Sequence, residues 1–158
     1  MQLRSNLNAE QQATIGGMID LCARHTINYR WTIQDIERLF VPPVLHKQFR
    51  LLRRGEELVG FATWAYLSKS WHRRLLYAHE DPDQNAWRSG NTLWVIDIVM
   101  PTGGVRSFTR QLQKDIFLPD ERIGYALRRD ESGRVRRVCK LYAHITSKLS
   151  SGGQRSAD

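Results

Sequence analysis

A chain of 158 residues is long enough to bury one substantial core and short for two, so one domain over residues 1–145 is expected, followed by a disordered C-terminal tail, 146–158. The formal charge of +8 and a pI of about 10.0 predict a surface that attracts anionic partners: nucleic acid, an anionic membrane or an acidic protein. Cys22 and Cys139 fit reduced core thiols, no metal-ligand spacing occurs, and no leader-like segment or run of about 18 apolar residues is present, which together point to a cytoplasmic protein without a membrane span or a bound metal.

In chain order, Asn8 with Gln11 three residues on has the form of a capping box. Ile15, Met18, Ile19 and Cys22 follow at helical spacing, predicting a helix over 9–24. A second helix is expected from Thr32, with Ile33, Ile36, Leu39 and Phe40 inward and a stop before Pro42-Pro43. Between them runs a polar, aromatic linker, His25 to Trp31.

Two extended runs, Lys47–Arg53 and Leu58–Leu67, flank Arg54-Gly55-Glu56-Glu57 and read as a β-hairpin. Gly60 within the second run marks a bulge or a close backbone approach. Residues 68–85 read as a short helix and a loop containing Asp81-Pro82-Asp83. Leu93 to Met100 is then an apolar strand, bounded by Ser89-Gly90-Asn91 and by Pro101-Thr102-Gly103-Gly104. Asp97 lies inside it. A carboxylate in such a strand must be paired, hydrogen-bonded or titrated away from its usual range, so Asp97 is either a catalytic candidate or the partner of an arginine.

Gly103-Gly104 lead into a helical stripe of Val105, Phe108, Leu112 and Ile116, with Arg106 and Arg110 outward. Such a turn can offer backbone N–H groups to an anion or a polarised carbonyl oxygen, and equally can be no more than a helix start. Ile123–Arg128 and Val135–Tyr142 form a last hairpin across Asp130-Glu131-Ser132-Gly133. The order of elements predicts an α/β fold with a mixed sheet and flanking helices, and it resembles the acetyltransferase-like (GNAT-like) fold.

Three blocks of residues resemble the RTX-toxin-activating lysine acyltransferase family. Trp87, Ser89-Gly90, Trp94, Ile96-Asp97, Pro101 and Gly103 fall on its most specific pattern; Pro42-Pro43, Gln48-Phe49-Arg50-Leu51 and Gly60–Ala65 match its hairpin; Trp31–Ile36 is similar to the start of its second helix. The resemblance implies transfer of a fatty acyl group from acyl-loaded acyl carrier protein to lysines of a protein substrate, with Asp97 catalytic, no bound cofactor, and a homodimer. Two positions depart from the pattern. The family's Asp after Ser-Gly is Asn91, and its catalytic His falls on Asn28, with His25 three residues earlier as the alternative base. A lysine amine must shed a proton before it attacks a thioester, and losing a positioned base typically costs ~10²–10⁴ in rate.

Trp64 and Trp94 are candidates for the walls of an acyl channel, though large strand aromatics are more often core. His46, His72, His79 and His144 have no spaced partner and read as surface or hairpin histidines. Arginines 128, 129, 134, 136 and 137 flank the last hairpin, as a solvated face or a dock for an acidic carrier protein. Two rivals to the enzyme remain open: a catalytically weakened relative that keeps its binding surface, favoured by Asn28, and a nucleic-acid-binding domain, favoured only by charge.

Overall fold

The computed structural model describes residues 6–25 and 29–143; Asn28, His144 and the tail from 146 onward lie outside them. The Asn8 side chain accepts the Gln11 N–H and the Gln11 side chain accepts the Asn8 N–H, each at 2.9 Å, which starts helix α1, Ala9–Arg24. Ile15, Met18 and Leu21 are buried, whereas Ile19 is 40% exposed. The inward stripe is therefore rotated from the expected one: it centres on Met18, from which Ile19 lies about 100° around the axis and Leu21 only about 60°.

Helix α2, Ile33–Leu45, begins with a second capping box between Thr32 and Asp35, and it runs through Pro42 and Pro43 instead of stopping before them. Proline removes N–H donors and crowds the preceding turn, but here both rings sit in the last turn and are buried with Val44, and the His46 N–H still reaches the Pro42 carbonyl at 2.9 Å. Ile33, expected inward, occupies the first helical position and is 89% exposed.

The hairpin is β1, Phe49–Arg54, against β2, Glu57–Leu67, with Gly55 in the left-handed region at φ 61°. Helix α3, Lys69–Ala78, follows, capped by the Ser68 side chain, and then strand β3, Thr92–Val99. Helix α4, Val105–Ile116, buries Phe108, Leu112 and Ile116 but leaves Val105, at its first position, 43% exposed. Strands β4, Ile123–Arg129, and β5, Val135–Tyr142, end the described chain.

One five-stranded sheet results, in the order β1-β2-β3-β4-β5. All neighbours are antiparallel except β3 and β4, which run parallel, and α4 supplies the crossover that a parallel pair requires. This is the mixed α/β, acetyltransferase-like arrangement. Helices α1 to α3 cover one face over Phe61, Ala65, Trp94 and Ile96, and α4 covers the other over Ala62, Trp64, Leu93 and Val95. Among the described residues no helix is long and apolar enough to cross a membrane.

A bulge in β3 positions the site. Thr63 opposes Asp97, yet its neighbour Trp64 opposes Val95, so Ile96 is an extra residue. Strict alternation would put Asp97 on the α4 face with Leu93 and Val95. The bulge turns it to the α1–α2 face beside Ile96.

The Ser89-Gly90 pair has a structural use. Ser89 Oγ accepts the Ser68 N–H at 2.9 Å, and the Gly90 N–H donates to the Tyr66 carbonyl at 3.0 Å, which ties the segment before β3 to the end of β2. A Cβ on Gly90 would stand 2.6 Å from the Leu67 carbonyl oxygen and 2.7 Å from Ser68 Cα, both backbone atoms that cannot swing away. Gly60 likewise faces the backbone at Val99 and the Met100 sulfur, the close approach expected of it. Gly90→Ala is expected to lower stability by about 1–3 kcal/mol in urea unfolding, as overpacking usually does. An unchanged midpoint would show that the Ser68–Gly90 contact yields freely.

Candidate active site

Asp97 is 4% exposed, and its carboxylate is gripped by Arg129. Arg129 Nε donates to Oδ1 at 2.7 Å and Nη2 to Oδ2 at 3.4 Å. The same guanidinium holds Asp81, with Nη2 on Oδ1 at 2.8 Å and Nη1 on Oδ2 at 3.0 Å, and Nη1 also reaches the Gly133 carbonyl at 3.1 Å. These bonds occupy all the N–H donors that a guanidinium possesses. The Arg129 side chain is 2% exposed, so it is a buried clamp and not part of a solvated docking face.

The electrostatics follow from two carboxylates around one cation. Burial pushes the Asp97 carboxyl above its ordinary range; Arg129 pulls it down, but less, and Asp81 adds to the upward push. For Arg129, burial alone would favour the neutral form, yet the charges and hydrogen bonds of Asp97 and Asp81 outweigh it and hold the guanidinium above its usual range. Burial, with the Asp97 charge second, pushes the Cys22 thiol and the Tyr29 phenol each up to about 12, which places both groups within reach of the Asp97 field.

The aromatic linker forms the roof. Trp31 lies over the Arg129 guanidinium at 5.2 Å, and its indole N–H donates to the Gly133 carbonyl at 3.2 Å. Tyr29 packs on Trp31 at 4.5 Å, and Trp31 meets Phe40 edge-on at 5.6 Å, which joins the roof to the core. The Arg30 N–H donates to the Ser132 carbonyl at 3.0 Å. Gly133, at φ 85°, is needed here: a Cβ would stand 2.7 Å from Trp31 Nε1.

Outside this roof lies a cavity of about 640 Å³, bordered by Trp31, Asp35, Arg38, His79, Asp81 and Gly133. Asp81 is the member of the clamp that reaches it, with a side chain 12% exposed against 3% for Asp97. Asp35, with its side chain 28% exposed and paired to Arg38 at 2.9 Å, is the other carboxylate of the lining.

Asp97 and the linker are thus brought together, and the other expected residues are placed elsewhere. Trp94 is fully buried on the α1–α3 face, stacked on Tyr125 at 4.9 Å, with its indole N–H on His72 Nδ1 at 3.2 Å. Trp64 is buried on the opposite face under α4. Gly103 and Gly104, at φ 92° and 85°, border a separate hollow of about 210 Å³ with Met100 and Phe108. His25 closes α1, and Asn28 is not among the described residues. Arg128, Arg134, Arg136 and Arg137 are exposed, unlike Arg129. Sequence reading had missed Asp81 and the clamping role of Arg129. The signal for Arg129 was present: it continues the inward phase of Tyr125 and Leu127 along β4.

The fold and the clamped carboxylate define an α/β acetyltransferase-like protein with an acidic cluster beneath one cavity. The sequence profile of the HlyC RTX toxin acyltransferase family matches residues 7–142, and the chain belongs to that family. It is 28% identical over 101 residues to the RTX-III toxin-activating lysine-acyltransferase ApxIIC of Actinobacillus pleuropneumoniae, covering 64% of this chain and 58% of that protein. It is 24% identical to the lysine-acyltransferase RtxC of Vibrio cholerae, over 70% of this chain and 73% of RtxC. To the protein-lysine palmitoyltransferase CyaC of Bordetella bronchiseptica it is 27% identical, over 80% of this chain and 68% of CyaC.

Replacing Arg129 by Met keeps much of the volume and leaves two buried carboxylates facing each other, so a loss of about 3–5 kcal/mol is expected. Because the folded-state pKa of Asp97 already lies above its ordinary value, a proton bound there favours the folded state, and that stabilisation is lost as pH rises through the folded pKa. Arg129→Met should therefore melt closer to wild type at pH 5 than at pH 7. Equal deficits at both pH values would show that lost packing, not charge, is the cause.

Proposed function

We propose that the chain transfers a fatty acyl group from acyl carrier protein to lysine side chains of a protein substrate. The observation that carries this reading is the family match over residues 7–142, with Asp97 of its most specific motif standing in a buried acidic cluster beside a cavity. Relatives are named for toxin activation and lysine acylation. The cluster supplies what such a reaction needs at one end: a fixed carboxylate, Asp81, that can pair with an ammonium at the cavity wall and orient it.

In this reading Asp97 acts through Arg129. It fixes the guanidinium, which fixes Asp81, and Asp81 meets the amine. Two aspartates and one arginine carry a net charge of −1, so Asp97→Asn leaves a balanced Arg129–Asp81 pair and should fold, while the field that attracts an ammonium is weakened. The carrier docks on the exposed arginines of the β4–β5 hairpin. Arg128 stands directly opposite Arg137, and both are exposed. Like charges placed so are mutually destabilising, and an acidic partner relieves them.

A second reading, a relative that binds but no longer transfers, is favoured by Asn28 at the position of the family's histidine. One assay separates the two. Incubation of a lysine-bearing acceptor with acyl-loaded carrier and this protein should add the acyl mass to the acceptor, and Asp97→Asn should slow the addition ~10²-fold or more, the low end of acid–base effects, with a melting temperature near wild type. Binding of the carrier with no mass gain on any acceptor would select the weakened relative. Arg136→Glu with Arg137→Glu should weaken carrier binding, and binding should fall with salt. Polynucleotide binding that drops steeply with salt, with no carrier binding, would sink both readings.

A further inference from the structure

We propose that His79 is the general base for the acceptor amine, acting at the edge of the Asp81 cavity. The inference rests on the acyltransferase reading and adds to it the group that takes the proton. Among the described residues lining that cavity, His79 supplies the imidazole, two positions before Asp81 in the chain. Imidazole is the side chain best suited to accept a proton near neutrality.

The backbone gives the second argument. His79 closes α3 at φ 52° and ψ 34°, in the left-handed region. Helices commonly end this way on glycine, which has no Cβ to strain. A residue with a Cβ is strained there, and such strain clusters at active sites; Lys47, at φ 56°, is the other described non-glycine residue so held, and it does not line the cavity.

The turn that carries the imidazole is also held by ion pairs of the next two residues. The Arg74 side chain donates to Glu80 at 2.9 and 2.6 Å, and the backbone N–H groups of His79 and Glu80 both turn back to the Arg74 carbonyl. On the other side Asp81 is tied to Arg129. His79 is thus an exposed imidazole at the rim of the cavity, on a backbone held by the residues that follow it. The charged groups facing that space are Arg30, Asp35, Arg38, Asp81 and Arg134; Asp35 is paired with Arg38 at 2.9 Å.

The acceptor lysine arrives as an ammonium, drawn by Asp81, and gives one proton to the neutral imidazole. The freed lone pair attacks the thioester carbonyl carbon; the C–N bond forms and the C–S bond breaks, its electron pair leaving on sulfur. The second nitrogen-bound proton passes to that thiolate, which yields the amide and a free thiol. The imidazolium then returns its proton to solvent.

Two substitutions test this, because glycine and asparagine both accept the left-handed backbone and neither is a base at neutral pH. His79→Gly and His79→Asn should melt at or above the wild-type temperature, yet lose ~10²-fold or more in kcat/KM for acyl transfer. Added imidazole should restore part of the rate to His79→Gly, since deletion of the side chain leaves room for it. Transfer by His79→Gly at the wild-type rate overturns the proposal and leaves the acyltransferase reading intact. A loss that imidazole does not repair overturns it too, and assigns His79 to the shape of the turn. If the wild-type chain itself acylates no acceptor, the acyltransferase reading falls and the role of His79 with it.

Discussion

Everything near the site depends on Arg129 being saturated. Its guanidinium joins β4 to β3 through Asp97, to the loop after α3 through Asp81, and to the β4–β5 turn through the Gly133 carbonyl. Trp31 closes the stack from the linker side. Buried ion clusters of this kind add little net stability over well-packed apolar residues, because desolvation consumes most of the Coulombic gain. Their effect is on uniqueness: four segments distant in sequence share one arrangement in which every donor has an acceptor, and a shift of any of them leaves a buried charge unpaired.

The clamp in turn depends on the bulge at Ile96. Without the extra residue, β3 alternation would aim the carboxylate of Asp97 at the underside of α4, among Ala62, Val95 and Leu112, on the face away from Arg129. With it, two successive residues, Ile96 and Asp97, serve the same face. Thr63 stands opposite Asp97 and is fully buried, so the carboxylate is covered from the neighbouring strand as well.

This explains what could and could not be read in the chain. Capping at Asn8 and Thr32, both hairpins and the helix after Gly104 are local patterns, and they appear at or within two residues of the expected bounds. Pro42-Pro43 misled because burial of a last turn outweighs the loss of donors near a helix end, a balance that only packing decides. The bulge has no glycine to announce it. Arg129 reaches Asp97 and Asp81 across 32 and 48 residues, so an arginine beside Arg128 on a basic hairpin looked like surface charge. Asp81, within Asp81-Pro82-Asp83, has the composition of any turn. The motif residues were conspicuous, but their uses differ: Ser89 and Gly90 dock backbone, Trp87 and Trp94 fill core, and Asp97 alone touches the cluster.

The division between sealed and open carboxylates constrains the chemistry more than the identity of either. A substrate amine can reach Asp97 only by displacing Arg129 from bonds as short as 2.7 Å, in a place where the displaced cation has no water to receive it. Asp81 needs no such displacement. Its oxygens share one guanidinium and still border the cavity, so a second cation can approach without unpairing the first. A carboxylate anchored on one side and open on the other holds its position while its environment changes charge. In the proposed reaction the sealed aspartate acts by keeping the one at the cavity in place, which fits a motif aspartate that lies beneath the cavity wall.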